Sequence, residues 1–416
     1  MKLQEGVNLH FIPSEKFTTN QIKIRFTAPM DKKSVANRVL VANLLEMGNQ
    51  DYPSNQALRR KLAELYGATF STSVSKRGLV HIVDISVSYI KERHLLSQEN
   101  LTEEIVTLLL STLQKPLAKK GAFQQEIFEI EKRNLLSYLE SEVEDNFYHA
   151  DLELNKLYFQ DENLQISRVS NLELAEKVTA ETAYQALRDM LSLDWIDIFV
   201  LGEVDEELTE KLFRKFPFTY RNPKLFFEYS QEFSPVLREK SERKYAKQSI
   251  LQLAYHLQIF YNDDNYYPLL ILNGLFGSFS HSRLFTQLRE KESLAYTIGS
   301  QLNIFAGTLK VYAGIDRENR LKTLKGIHRE LLRLKQGHFS EEEINSTKKM
   351  YLHSAQIAQD RGQNLIEQVY NQLVFQERNI SVEEFMEKIQ EVKKEDIVRV
   401  SQMLRLQAVY FMEGVE

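Results

Sequence analysis

The 416-residue sequence contains no cysteine. Disulfides, Cys-ligated zinc, iron–sulfur clusters and thiol catalysis are therefore excluded within this chain. Basic excess is also missing: the net charge is −5 and the pI about 6.1. Nucleic-acid-binding domains carry clustered Lys/Arg and usually a pI above ~9. Local clusters such as Arg59-Arg60-Lys61 sit among acidic residues and read as a solvated helix face. No run approaches the ~18 apolar residues of a membrane span. The start, MKLQEGVNLHFIPSEKF, lacks the apolar core of a secretory signal. These absences lead us to expect a cytoplasmic chain with neither nucleic acid nor membrane as a partner.

Familiar catalytic devices are missing too. There is no G-x-S-x-G elbow and no Walker loop. The Gly-rich segment Gly274-Leu275-Phe276-Gly277-Ser278 lacks the Lys-Ser/Thr that would hold phosphates. The nine histidines are scattered, with no two at the i, i+4 spacing that presents two imidazoles to one metal. His149 and Glu153 share a helix face, which reads more simply as a solvent-exposed pair. A self-contained zinc site is not expected.

What the chain does contain is a repeat. Asn43 to Tyr66 recurs at an offset of 230 as Asn273 to Tyr296, matching Asn43 with Asn273, Leu58 with Leu288, Arg59 with Arg289, Lys61 with Lys291 and Tyr66 with Tyr296. Ile22, Ile24 and Phe26 match Leu251, Leu253 and Tyr255 at 229, so one residue is inserted or deleted in between. Solenoid units repeat every ~20–50 residues, so this longer period marks a duplicated domain. Composition agrees: 43% apolar and 27% charged residues are ordinary for a soluble globular protein. A chain of this length exceeds one compact core.

Each half reads as strands followed by helices. Ile22, Ile24 and Phe26 alternate with Lys23 and Arg25, as in a half-buried strand. Helices are expected over 35–47, 55–66 (closed by Gly67 as a left-handed cap), near 101–114, from about 123 to 158, and over 180–191. Strands are expected at 69–76, 79–90 and 195–201. The second half repeats the order: strand 248–256, helices 265–276 and 282–290, strands near 296–304 and 307–314, then helices and a closing strand at 408–412. Ser340 with Glu343 and Ser381 with Glu384 form capping boxes. The fold class is α+β, two homologous domains, each a mainly antiparallel sheet with helices packed on one face. Three of the eight prolines, Pro217, Pro223 and Pro235, mark a connection. The expected domains are 1–220, a linker at 221–240, and 241–416.

The segment Ser282-Arg283-Leu284-Phe285-Thr286-Gln287-Leu288-Arg289-Glu290-Lys291-Glu292-Ser293-Leu294-Ala295-Tyr296 resembles the C-terminal half of the pitrilysin/insulinase family of zinc peptidases, which includes the mitochondrial processing peptidase. That half carries a Gly-rich turn, a Ser-Arg-Leu-Phe helix, then Arg and Tyr seven residues apart. Arg289 and Tyr296 fit the spacing, and Asn273, Gly277 and Ser278 fit the turn. The resemblance covers essentially the whole chain. It implies a clamshell in which Asn273, Gly277 and Ser278 contact substrate while Arg289 and Tyr296 stabilise charge on a substrate carbonyl.

The family's catalytic half carries H-x-x-E-H on its first long helix. Here that helix reads Asn43-Leu44-Leu45-Glu46-Met47: the Glu is kept and both His positions are lost. Aligning Phe128-Glu129-Ile130-Glu131-Lys132 with the segment before the third ligand puts Tyr138 at that ligand's position, with Glu140 close by. A catalytic zinc needs three protein ligands, so a lone carboxylate does not hold it. The resemblance then implies no cofactor in this chain, with zinc carried by a partner: a homologous insulinase-type subunit with an intact H-x-x-E-H. The pair would form a heterodimeric endopeptidase processing short peptides. The alternative is a catalytically inert scaffold or peptide-binding subunit of a soluble complex. A self-sufficient hydrolase has no constellation to support it. In the first copy Arg59 and Tyr66 keep the same spacing, so the pair alone does not mark catalysis.

Overall fold

A computed structural model describes residues 1–95, 100–376 and 380–416. The first half runs β1 (Lys2–Gln4), β2 (Val7–Pro13), β3 (Thr19–Pro29), α1 (Lys32–Leu45), α2 (Asn55–Glu64), β4 (Thr69–Arg77), β5 (Val80–Ile90), α3 (Leu101–Gln114) and a short hairpin β6 (Ala118–Lys119) and β7 (Ala122–Phe123). It continues with α4 (Gln125–Glu144), α5 (Asn146–Tyr158), α6 (Leu172–Glu176), α7 (Ala180–Leu193), β8 (Trp195–Gly202) and α8 (Glu206–Phe213). The second half runs β9 (Arg238–Lys244), β10 (Ser249–His256), α9 (Tyr266–Asn273), β11 (Thr297–Asn303), β12 (Thr308–Ile315), α10 (Arg320–Lys335), α11 (Glu341–Ala358), α12 (Gly362–Phe375), α13 (Val382–Glu391), α14 (Lys394–Met403) and β13 (Arg405–Gly414).

The duplication is visible in the topology. The first sheet is ordered β1-β2-β8-β3-β5-β4 and the second, read in the matching direction, β9-β13-β10-β12-β11. In each, the closing strand of the half enters the middle of the sheet, parallel to the first long strand and antiparallel to the second. Two-residue alternation aims Ile22, Ile24 and Phe26, and likewise Leu251, Leu253 and Tyr255, into the helix-covered cores. Burying each such side chain contributes about 1.5–3 kcal/mol relative to leaving it exposed. Both predicted capping boxes are formed, at Ser340 and Ser381.

Some expectations are corrected. β3 is buried on both faces, because Arg25 donates two hydrogen bonds to Asp84 at 2.8 and 2.7 Å and Lys23 lies 3.5 Å from the same carboxylate. The charges go under because they are paired. α2 stops at Glu64, since Tyr66 and Gly67 both take left-handed conformations (φ 56° and 75°). The helical stretch 123–158 is two helices: the Asp145 carboxylate accepts from the backbone N–H groups of Phe147 and Tyr148 at 2.9 and 3.2 Å and starts α5.

That break matters for domain organisation. The chain divides into two compact units, Met1–Ser141 with Ile166–Phe226, and Glu142–Gln165 with Phe227–Glu416. This differs from the continuous boundaries expected, for two physical reasons. The 221–240 segment is not a free linker throughout, because Arg238 opens β9, which hydrogen-bonds in parallel to β13. And α5 belongs with the second sheet. Gln252, Tyr312 and Tyr410 share one sheet face by register, opposite Leu251 and Leu253. α5 lies on that face: Gln252 Nε2 donates to the Phe147 carbonyl at 3.0 Å, and Tyr158 Oη to the Gly307 carbonyl at 2.9 Å. Helices thus cover the core face of each sheet, and the second unit adds one on the reverse face. Among the described residues no helix is long and apolar enough to cross a membrane.

Candidate functional site

The first unit holds Asn43, Glu46, Met47 and Tyr138, the residues that the family resemblance sets against its zinc site. α1 begins at Asp31, whose side chain accepts from the Lys33 N–H at 3.0 Å. It is apolar on most sides (Val35, Val39, Leu40, Val41, Leu44 and Leu45 are all buried), which places it between the sheet and α7. Glu46 follows at its C-terminal end. One Glu46 carboxylate oxygen accepts from the Thr72 N–H at 2.5 Å, and the Thr72 hydroxyl lies 2.8 Å from it. The kept Glu is therefore tied to β4. Glu131 on α4 is buried, and burial, together with the Glu46 charge, raises its pKa above the usual carboxylate range.

Beside these residues is a cavity of about 450 Å³ whose polar lining comprises Asn43, Thr72, Ser73, Asn134, Tyr138 and Arg168. Asn43 and Tyr138, distant in sequence, share this cavity. Glu46 and Met47 are half-buried and do not line it, and Glu140 is exposed outside it. Among the described residues, no group of three or more His, Cys, Asp or Glu side chains is arranged to hold a metal. An amide, a thioether and a phenol beside a carboxylate already hydrogen-bonded to Thr72 do not fit zinc.

In the second unit α9 runs on into a π-helical turn, Gly274–Ser278, and a second π-helical segment follows at Leu284–Lys291. Such turns are uncommon and recur at functional sites. The turn is locked to β11. Asn273 Oδ1 accepts from the Ser300 hydroxyl at 2.7 Å, and a Cβ at Gly277 would stand 2.6 Å from Ser300 N. Asn273 and Gly277 are both buried. Both set the backbone here: the carboxamide accepts from Ser300 and the glycine permits a close approach to β11. Ser278 is different. It lines a cavity of about 640 Å³ with Thr297 and Gln301 of β11, Lys310 and Tyr312 of β12, and Tyr148 of α5 among others.

Arg289 is exposed on the second π-helical segment, its guanidinium over the Phe285 ring at 4.5 Å. Tyr296 is 60% exposed and donates to Asp316 Oδ1 at 2.9 Å. That acceptor raises the phenol's pKa. Neither residue lines the cavity, although Thr297, next to Tyr296, does. Arg59 and Tyr66 in the first unit are exposed as well.

Sequence reasoning missed the contribution of α5, which places Phe147, Tyr148 and Asp151 in the cavity of the second unit. There Asp151 and Asn155 hold the Lys310 ammonium at 2.5 and 2.6 Å. The Asp145-Asn146 capping signal inside an apparent long helix was the available clue. Arg168 was missed because a lone exposed Arg in a loop carries no pattern.

Fold and repeat together define a duplicated α+β architecture, one sheet with covering helices in each unit. The family described as Peptidase M16 inactive domain matches residues 177–351. Over 412 residues the chain is 30% identical to the probable inactive metalloprotease YmfF of Bacillus subtilis (strain 168), covering 99% of this chain and 96% of the relative. This chain therefore belongs to the M16, insulinase-type, peptidase family, as an inactive metalloprotease homologue. A conserved protein from Enterococcus faecalis V583 has a crystal structure that superposes with a TM-score of 0.97 at 37% identity, covering 100% of this chain and 98% of that one. A peptidase M16 inactive domain from Pseudomonas fluorescens shares the fold, with a TM-score of 0.79 at 17% identity over 99% of this chain and 97% of that one.

Proposed function

We propose that this chain is the zinc-free subunit of a heterodimeric M16-type endopeptidase that processes short peptides. A homologous subunit with an intact H-x-x-E-H supplies zinc, and this chain supplies Arg289 and Tyr296. The observation that carries the reading is that Arg289 and Tyr296 are both exposed in a chain whose described residues offer no group of side chains arranged to hold a metal. Hydrolysis by a metal-bound hydroxide builds negative charge on the substrate carbonyl, and each well-aimed donor lowers that barrier by ~3 kcal/mol. In this reading Ser278 contacts the peptide from the cavity wall, and the pair works in the cytoplasm.

The test is reconstitution. The chain is combined with a homologous subunit bearing H-x-x-E-H, and zinc content and peptide cleavage are measured. One zinc per pair, residing in the partner, and a fall in kcat of about 10²-fold or more for Arg289→Ala or Tyr296→Phe support the proposal. Unchanged rates in both variants would return the chain to a scaffold or peptide-binding role. Stoichiometric zinc in this chain alone would sink the assignment.

A further inference from the structure

We propose that the cavity left where the family binds zinc now receives a carboxylate, carried by a peptide as an acidic side chain or as its free C-terminus. Among the described residues, Arg168 is the only charged one lining it. The remaining polar lining is neutral: the Asn43 and Asn134 carboxamides and the Ser73 and Tyr138 hydroxyls, with the Thr72 hydroxyl already given to Glu46 and the Ala42 carbonyl. The two nearby acids do not line the cavity, and each is held by a hydrogen bond to a wall residue. Glu46 is turned to Thr72 and accepts hydrogen bonds there. Glu131 is buried behind Asn134, which donates to it at 3.1 Å, and burial favours its neutral form. The cation at this wall is a guanidinium, and its planar fork of donors matches a carboxylate.

The loop bearing Arg168 is held in place. The Arg168 carbonyl accepts from His81 Nε2 at 2.9 Å, and the ring's other nitrogen accepts from Arg38 Nε at 3.0 Å. Two residues before Arg168, the Ile166 carbonyl accepts from Lys76 Nζ at 2.5 Å. The backbone at Arg168 is therefore fixed from β5 and β4, while its side chain is exposed at the cavity. A volume of about 450 Å³ is within the ~300–1,000 Å³ of small-ligand sites. This inference concerns the chain by itself and stands or falls without a zinc-bearing partner.

The experiment measures binding of fluorescein-labelled hexapeptides to the purified full chain by fluorescence polarisation. One pair of alanine peptides differs by a free or amidated C-terminus. A second pair, both amidated, carries Glu or Gln at the fifth position. The expected result is a preference of about tenfold or more for the carboxylate member of at least one pair, as for a hydrogen-bonded charge pair. The pair that shows it identifies the carboxylate's source. Arg168→Gln abolishes the preference, Arg168→Lys retains part of it, and a change at an exposed arginine on α7, Arg188→Gln, leaves it intact. Equal binding of acid and amide peptides, absence of binding, or a preference that survives Arg168→Gln would overturn the proposal.

Discussion

Asn43 and Asn273 occupy the same position in the two copies of the repeat and do opposite things. In the first unit Asn43 lines a cavity. In the second, Asn273 is 5% exposed and holds Ser300 on the neighbouring strand. Four residues later the contrast continues, with a half-buried Met47 in one copy and a Gly277 that admits no side chain in the other. One helix end, used twice, therefore serves as an open wall in one unit and as a backbone lock in the other. A position on an open cavity wall tolerates a change of side chain. A position that fixes a turn does not.

The sharpest way to break this comparison is to reinstall the metal. Asn43→His, Met47→His and Tyr138→Glu together should give about one zinc per chain by elemental analysis, because three protein ligands then flank Glu46. Asn273→His with Gly277→His should give none, and zinc bound there would erase the asymmetry. Next comes Gly277→Met, which places in the second unit the residue found in the first. Its Cβ meets Ser300 backbone, so a loss of about 3 kcal/mol is expected. In thermal unfolding that corresponds to roughly 2–4 °C per kcal/mol for a unit of this size. Met47→Gly should cost clearly less.

Acid should weaken the first unit through His81. Burial, aided by the neighbouring Arg38 charge, pushes its pKa down to about 3 from the ordinary 6.5. Below pH 6.5 the unfolded chain takes up a proton that the folded one refuses until about pH 3. Stability contributed by neutral His81 is therefore full above 6.5 and is lost as pH falls through that window. Replacing His81 by Gln should flatten the slope of unfolding free energy against pH by up to ~1.4 kcal/mol per pH unit. An unchanged slope would mean that His81 is accessible to protons when folded. A smaller contrast is expected between Asn273→Ala, which strips Ser300 of its acceptor and costs about 1–2 kcal/mol, and Asn43→Ala, expected within ~0.5 kcal/mol. Equal costs in denaturant titrations would deny the two asparagines different roles. The mildest prediction is spectroscopic: Asp316→Asn should lower the Tyr296 pKa toward the ordinary 10 in an ultraviolet titration, without changing the fold.

Much of the fold was legible because its causes are local. The alternation of Ile22, Ile24 and Phe26 reports a strand, the capping boxes at Ser340 and Ser381 report helix starts, and the loss of two His positions around Glu46 is plain in the letters. The candidate site was less legible. The Gly-rich turn drew attention to Asn273, but its hydrogen bond with Ser300 depends on where β11 packs. Tyr138 was placed by alignment, but its sharing a cavity with Asn43 and Arg168 depends on how α4 and the loop after Gln165 pack against α1 and β4.

What the sequence by itself determined is the duplication, the strand and helix periods and the absence of a ligand set for zinc, since each follows from residue identity and spacing along the chain. What only the tertiary structure decided is where the remote pieces lie. α5, encoded in the first half, covers the reverse face of the second unit's sheet, and β9 turns part of an apparent linker into a strand. Both outcomes depend on which apolar faces and backbone groups remain unpaired after the local elements have formed, and that depends on the whole chain.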